Sequence, residues 1–80
     1  MAIRRETDMV ANISSMVKMG GSLEGKGAWY TFHRDHSRGL PRYVAVYHQG
    51  ETMFVSDTAT DWETLIVRLE ERHPTWEFHL

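Results

Sequence analysis

One amphipathic helix near the end of the chain constrains the fold more than any other feature of the sequence. Its apolar residues recur at positions i, i+3, i+4 and i+7 of a helix, as Trp62, Leu65, Ile66 and Leu69. Thr60 as N-cap and Glu63 three residues later would form a capping box, and Pro74 stops the helix, so we predict a helix over residues 61–72. A helix with one apolar face must bury that face against another layer of structure.

Extended strands are the predicted second layer. Residues 28–34, 42–49 and 51–57 are rich in aromatic and β-branched residues and are bounded by turn residues, which is typical of strands. Gly50 lies between the second and third segments and indicates a tight hairpin, while a polar loop over 35–41 joins the first two. Apolar residues alternate again after Pro74, at Trp76, Phe78 and Leu80. The sequence therefore predicts an α+β fold, in which a three-stranded antiparallel meander plus a C-terminal strand carries the helix on one face.

The N-terminal segment fits two patterns. A helical stripe that ends at two glycines would use Met9, Val10, Ile13, Met16 and Val17. A strand would instead use Met9, Ala11, Ile13, Val17 and Met19. We predict a helix here, with a strand as the alternative, and we expect residues 1–6 to be disordered. Residues 20–27 hold four glycines and are predicted to form a glycine-rich loop; this segment lacks the Ser or Thr after Lys26 that a phosphate-binding loop requires.

Length and composition limit the classes of protein. The 80 residues allow a single domain over 1–80 that buries roughly 60–65 % of its unfolded surface. The sequence has no cysteine, which excludes disulfides and fits a reducing compartment, so we predict a cytoplasmic location. Apolar runs are too short for a membrane segment, and we expect no membrane partner.

Candidate groups for chemistry are few and weakly patterned. Imidazole and carboxylate groups that could bind a metal ion are found at His33, Asp35, His36 and His48. Their spacing is not that of a known metal site, because positions at a strand end and in a loop do not share a face through spacing alone. We therefore predict no cofactor, no catalytic residue and no enzymatic activity, with an unrecognised hydrolase or metal site as the alternative.

Aromatic and basic residues in the first two strands of the meander are the most suggestive functional feature. The candidate binding surface consists of Trp29, Tyr30, Arg34, Arg38, Arg42, Tyr43 and Tyr47. If the helix covers the side of Val44 and Val46, the side of Tyr43 and Tyr47 remains for another molecule. A second candidate surface is the acidic helix face, with Glu63, Glu70 and Glu71.

These surfaces indicate a binding protein. Aromatic residues beside arginines are typical of protein interfaces. We predict a small non-catalytic module for protein–protein interaction, either a homodimer or an inhibitor or adaptor of a larger complex, of the kind that phages and mobile elements encode. The alternative is single-stranded nucleic-acid binding, in which bases stack on Tyr43 and Tyr47.

Overall fold

The computed structural model describes residues 13, 16–37, 39 and 41–79. Across these residues the chain forms one antiparallel sheet of five strands with one helix packed against it. The elements are β1 Val17–Glu24, β2 Trp29–Asp35, β3 Arg42–Gln49, β4 Thr52–Ala59, α1 Trp62–Arg72 and β5 Glu77–His79. The strands stand in the order β4-β3-β2-β1-β5. The predicted α+β fold is confirmed, including the meander of β2, β3 and β4, the helix and the C-terminal strand.

The first strand corrects the prediction for the N-terminal part of the chain. β1 includes Val17, which the predicted helix contained, and residues 20–24 of the expected glycine-rich loop. The alternative strand pattern agrees with β1 at Val17 and Met19. Lys18 pairs with His33 and Ser22 pairs with Thr31. The chain therefore advances by four residues in β1 but by only two in β2, and the extra residues of β1 form a bulge. Gly21 lies in this bulge with φ of +92°, a conformation that favours glycine. Residues 1–12, 14 and 15 lie outside the described residues. The disorder expected over residues 1–6 and most of the predicted N-terminal helix fall in this part of the chain.

The turn between β1 and β2 retains part of the predicted glycine-rich loop. The backbone N–H of Gly25 donates to the carbonyl of Ala28 at 2.9 Å, and Gly27 has φ of +77°. A side chain at position 25 would overlap the indole of Trp76, because the ring occupies the space that a Cβ would need. The loop is therefore shorter than predicted and closely packed.

Strand pairing divides the sheet into two faces. Tyr30 lies opposite Tyr47 and Phe32 opposite Ala45, and this side of the sheet, which we call the helix face, packs against α1. Thr31 lies opposite Val46 and His33 opposite Val44 on the other side, which we call the far face. Both faces contain fully buried side chains, so the sheet is covered on each side by residues of the same chain.

The core beneath α1 is largely aromatic. Leu65 and Leu69 are completely buried and belong to one cluster with Leu23, Tyr30, Phe32 and Ala45, against which Trp62 and Ile66 are partly buried. The ring of Trp62 meets the ring of Phe32 edge-on at 5.0 Å between centroids. The predicted apolar stripe of the helix is confirmed, and burial of each leucine contributes roughly 1.5–3 kcal/mol.

The start of α1 differs by one residue from the predicted capping box. Asp61, not Thr60, is the N-cap: its carboxylate accepts hydrogen bonds from the backbone N–H of Thr64 at 2.9 Å and from the Thr64 hydroxyl at 2.8 Å. These bonds lower the pKa of Asp61. At the other end, the N–H of His73 donates to the Leu69 carbonyl and Pro74 follows, as predicted.

This assignment of the N-cap can be tested with a matched pair of variants. Asp61→Ala should lower the thermal unfolding midpoint by roughly 4–8 °C, since a lost N-cap leaves helix N–H groups without an acceptor. Thr60→Ala should leave the midpoint nearly unchanged. Circular dichroism melts of both variants would contradict the assignment if Thr60→Ala had the larger effect.

The last strand pairs at the opposite edge from β4. Leu23 of β1 lies opposite Phe78 of β5, and the pairing covers only residues 22–24 and 77–79. The chain therefore crosses the whole helix face between β4 and β5. In the described residues, no helix has both the length and the apolar character needed to cross a membrane.

Candidate interaction surface

The candidate aromatic and basic surface is divided between the two faces of the sheet. Tyr30 is buried, and Tyr43 and Tyr47 are partly buried against the cluster beneath α1. The guanidinium of Arg34 lies 5.9 Å from the centre of the Tyr43 ring, on the same face. Trp29 lies on the far face and is 36 % exposed; Arg42 is half-buried there, opposite Asp35. Arg38 lies outside the described residues.

The helix does not cover the side of Val44 and Val46, which was the condition for a free surface at Tyr43 and Tyr47. α1 packs on the side of Tyr43, Ala45 and Tyr47 instead, where Ala45 leaves room for helix side chains between two larger rings. Val44 and Val46 form a second buried cluster with Ile13, against which Met16, Met53 and Val55 are partly buried. The tyrosines therefore do not form a free platform, and the predicted residues are not brought together as one surface.

The far face does bring together two of the candidate histidines. The Thr31 hydroxyl lies 2.9 Å from His33 Nε2 and 2.8 Å from His48 Nε2. It thus joins two histidines that belong to different strands. The ring of His48 also stacks on Trp29, with centroids 5.0 Å apart and planes within 1°. Strand register explains this arrangement, because Trp29 lies directly opposite His48 and Thr31 is the next residue on that face.

The hydrogen bonds and the burial of this cluster favour neutral histidines. A threonine hydroxyl has one proton, so it can donate to only one imidazole and must accept from the other. His33 Nδ1 is buried without a partner in the described structure, which favours a proton on its Nε2 and a Thr31 hydroxyl that donates to His48. Burial, followed by the positive charge of Lys18, lowers the pKa of both His33 and His48.

The structure does not assemble a metal centre from the candidate ligands. Within the described residues, no group of three or more His, Cys, Asp or Glu side chains is placed to bind a metal ion. His36 is exposed in the loop after β2, and the Asp35 carboxylate accepts a hydrogen bond from the backbone N–H of Ser37 at 2.9 Å. His33 and His48 meet only through Thr31.

A second polar cluster ties α1 to the sheet. Arg72 donates two hydrogen bonds to the Asp57 carboxylate, at 2.8 and 3.0 Å, and the Ser56 hydroxyl also donates to it. The hydrogen bond from Arg72 is the main cause that lowers the pKa of Asp57. Tyr30 Oη lies 2.9 Å from His73 Nε2, and the ring of His73 stacks on Trp76 at 3.9 Å. These groups connect the helix end to β2 and β4, so they have a structural role.

Two charged surfaces lie outside the core. Glu63, Glu70 and Glu71 are all exposed on α1, as expected for the acidic helix face. A shallow groove of about 450 Å³ lies beside Trp76. Its charges are mixed, because Lys26 lines it together with acidic groups and His79 Nε2 lies 3.6 Å from Glu24 and 3.7 Å from Glu77. Neither surface combines side chains of one chemical type with a buried polar group.

The outer edge of β4 is a surface that the sequence did not indicate. Of the described strands only β3 pairs with β4, so the backbone groups on the other side of β4 face away from the sheet. The second half of this edge is protected: Ser56 forms a bulge, and Arg68 Nη1 donates to the outward carbonyl of Thr58 at 2.9 Å. We call the first half, residues 52–55, the open half of β4.

The open half of β4 lacks the features with which proteins usually block a sheet edge. It contains no charged residue and no proline, and Phe54 is 36 % exposed. The ring of Phe54 is held against Tyr47, with centroids 5.2 Å apart. A pre-positioned aromatic side chain beside backbone groups that pair with no described strand is suited to receive another strand.

Position at the edge depends on strand order, which the residues of β4 do not encode locally. The only local signal was the absence of lysine and proline from an alternating segment.

Comparisons with family models, with curated proteins and with solved structures find no match to this chain.

Proposed function

We propose that this chain is a small non-catalytic protein–protein interaction module that binds an extended segment of its partner at the open half of β4. The observation that supports this most is the contrast within one strand. Residues from 56 onward are blocked by a bulge and by Arg68, whereas no described strand pairs with the outer side of residues 52–55, and Phe54 is 36 % exposed. Backbone hydrogen bonds would supply affinity, and side chains on alternating positions would supply specificity.

The internal polar clusters support a binding role over a catalytic one. The groups most suited to proton transfer are bonded to one another: Thr31 with two histidines, and Asp57 with Arg72. Homodimer, adaptor and inhibitor are all forms of this function. The lack of cysteine supports a cytoplasmic location, and an origin in a phage or mobile element belongs to the proposal by analogy alone.

Single-stranded nucleic-acid binding has less support. It needs Tyr43 and Tyr47 on a free face with arginines around them. Both tyrosines pack against the cluster beneath α1, so bases could not stack on them without displacement of the helix. Trp29 remains exposed, but it already stacks on His48.

Peptide selection tests the proposed function. The protein is immobilised at low density, so that neighbouring copies do not pair, and random peptides are selected against it. Enriched peptides should alternate apolar and polar residues, as strands do. Their affinity should fall at least about tenfold on Phe54→Lys, because a lysine blocks an edge.

Two further variants serve as controls for this selection. Val17→Lys changes another exposed apolar strand residue, 57 % exposed, on β1 and should bind the peptides like the parent. Thr52→Lys replaces an exposed side chain and repeats the edge test if loss of the Phe54 ring disturbs the fold. The proposal fails if no peptide is enriched or if the peptides bind both edge variants as tightly as the parent.

A further inference from the structure

We infer that the strand received at the open half of β4 is β4 of a second copy of this chain, in an antiparallel pair whose two-fold axis passes beside Phe54. This inference rests on the proposed function, since it requires that the edge accepts a strand. It adds the identity of the partner and the register of the pairing, both of which follow from the geometry of β4.

The first step is to establish which backbone groups point outward. Gln49 pairs with Thr52 across a two-residue loop in which Gly50 has φ of +60°. Such a loop closes on a hydrogen-bonded pair, and residues then alternate between bonding inward and pointing outward. Thr52 and Phe54 therefore bond to β3, whereas Met53 and Val55 direct their N–H and C=O groups outward.

An independent hydrogen bond agrees with this alternation. Val46 lies opposite Val55 and Val44 lies opposite Thr58, so these two β4 residues have equivalent positions along β3. The carbonyl of Thr58 does point outward, because Arg68 reaches it from α1 at 2.9 Å. The outward groups of β4 thus begin at Met53 and Val55 and end at a carbonyl that the chain itself caps.

The second step is the pairing of this segment with itself. An antiparallel pair of identical strands in one continuous sheet has its two-fold axis perpendicular to the sheet, so each residue faces a residue on the same face. With the axis beside Phe54, Met53 lies opposite Val55 of the second copy, and the reverse pair forms by symmetry. These two pairs use all the outward groups of the open half and give about four backbone hydrogen bonds.

The side chains match in this register. Phe54 meets Phe54 of the second copy in a non-hydrogen-bonded pair, in which side chains approach most closely, and two methionine–valine pairs form on the far face. A shift of the axis to Met53 or to Val55 would place Phe54 opposite Thr52 or Ser56 instead. Residues 52–56 carry no charge, so no like charges face each other within the paired segment itself.

The same geometry limits the strength of the dimer. The bulge at Ser56 and the Arg68 cap confine pairing to a few residues, so the interface falls well below the roughly 1,200–2,000 Å² of a stable complex. We therefore expect an equilibrium between monomer and dimer with a dissociation constant in the micromolar range.

Single-cysteine variants test the register directly, because the parent chain has no cysteine. In the proposed dimer the two Cα atoms of residue 54 lie about 4.5 Å apart, within the range that a disulfide spans. The two Cα atoms of residue 52 lie about 13 Å apart along the strands. Phe54→Cys should therefore form a covalent dimer in glutathione buffer at least about tenfold faster than Thr52→Cys.

Sedimentation of the parent chain is the second measurement, since cysteine at position 54 loses the contact with Tyr47. The parent should show a dimer at about 100 μM that Thr52→Lys abolishes and Val17→Lys retains. A monomeric parent, or equal oxidation rates of the two cysteine variants, would overturn the inference. If selected peptides still bind at the open half of β4 in that case, the proposed function stands and the partner is another protein; if they do not, both fail.

Discussion

Leu65→Ala is expected to lower the free energy of unfolding by about 2–5 kcal/mol. Leu65 is completely buried between α1 and the sheet, so its truncation removes apolar burial and leaves a cavity beneath the helix. A domain of this size has only about 4–12 kcal/mol of stability in total. Urea unfolding followed by tryptophan fluorescence should show a large fall in the midpoint, or no folded baseline at all.

Val67→Ala provides the matched control on the same helix. Val67 is 44 % exposed and does not belong to either buried cluster, so its truncation should change stability by less than about 0.5 kcal/mol. Similar losses for the two variants would mean that α1 does not pack on the sheet through the stripe that contains Leu65.

Acidification from pH 7.5 to pH 5 is expected to destabilise the protein steeply. Burial lowers the pKa of His33, His48 and His73 in the folded state. The unfolded chain binds protons at these residues near pH 6.5, before the folded chain does, so stability is fully present above that pH and is lost as pH falls. Each histidine that takes up a proton only on unfolding adds a slope of about 1.4 kcal/mol per pH unit.

The cluster around Thr31 should account for much of this slope. Protonated His33 would bury a second N–H at Nδ1, where no described group accepts a hydrogen bond, beside the charge of Lys18. His48 belongs to the same cluster and its pKa is also lowered by burial, so His48→Gln should reduce the slope of the unfolding free energy against pH. His36→Gln, in an exposed loop, should preserve the slope. Urea titrations at several pH values supply the slopes; an unchanged slope in His48→Gln would contradict this account.

Local periodicity explains what could be predicted of the fold. The apolar stripe of α1 recurs with the period of a helix, and Pro74 follows the helix. Apolar residues alternate in β2, β3 and β4, and turn residues bound these strands. Only the alternative strand pattern anticipated β1, at Val17 and Met19, because the bulge inserts residues between Lys18 and Ser22 and disrupts the period of two. The glycines of β1 also resemble a helix stop and a loop.

The choice of sheet face could not be made from the sequence. β3 has tyrosines and alanine on one face and valines on the other, so both faces are apolar and either could receive the helix. Packing decides the choice, because the helix stripe includes Trp62, which fits against Phe32 and Tyr43. The candidate surface around Tyr43 and Tyr47 depended on this choice, whereas the open half of β4 depends on strand order; neither is a local property.

The unequal margins of the sheet have a consequence for assembly size. Among the described residues, the margin opposite β4 offers three residues of β5, with the polar side chains of Glu77 and His79. Beyond them lies a bulged stretch of β1 that includes Lys18. Such a margin is a poor template for another strand. Growth by edge pairing should therefore terminate at two chains, and concentrated solutions should yield closed pairs and no filaments.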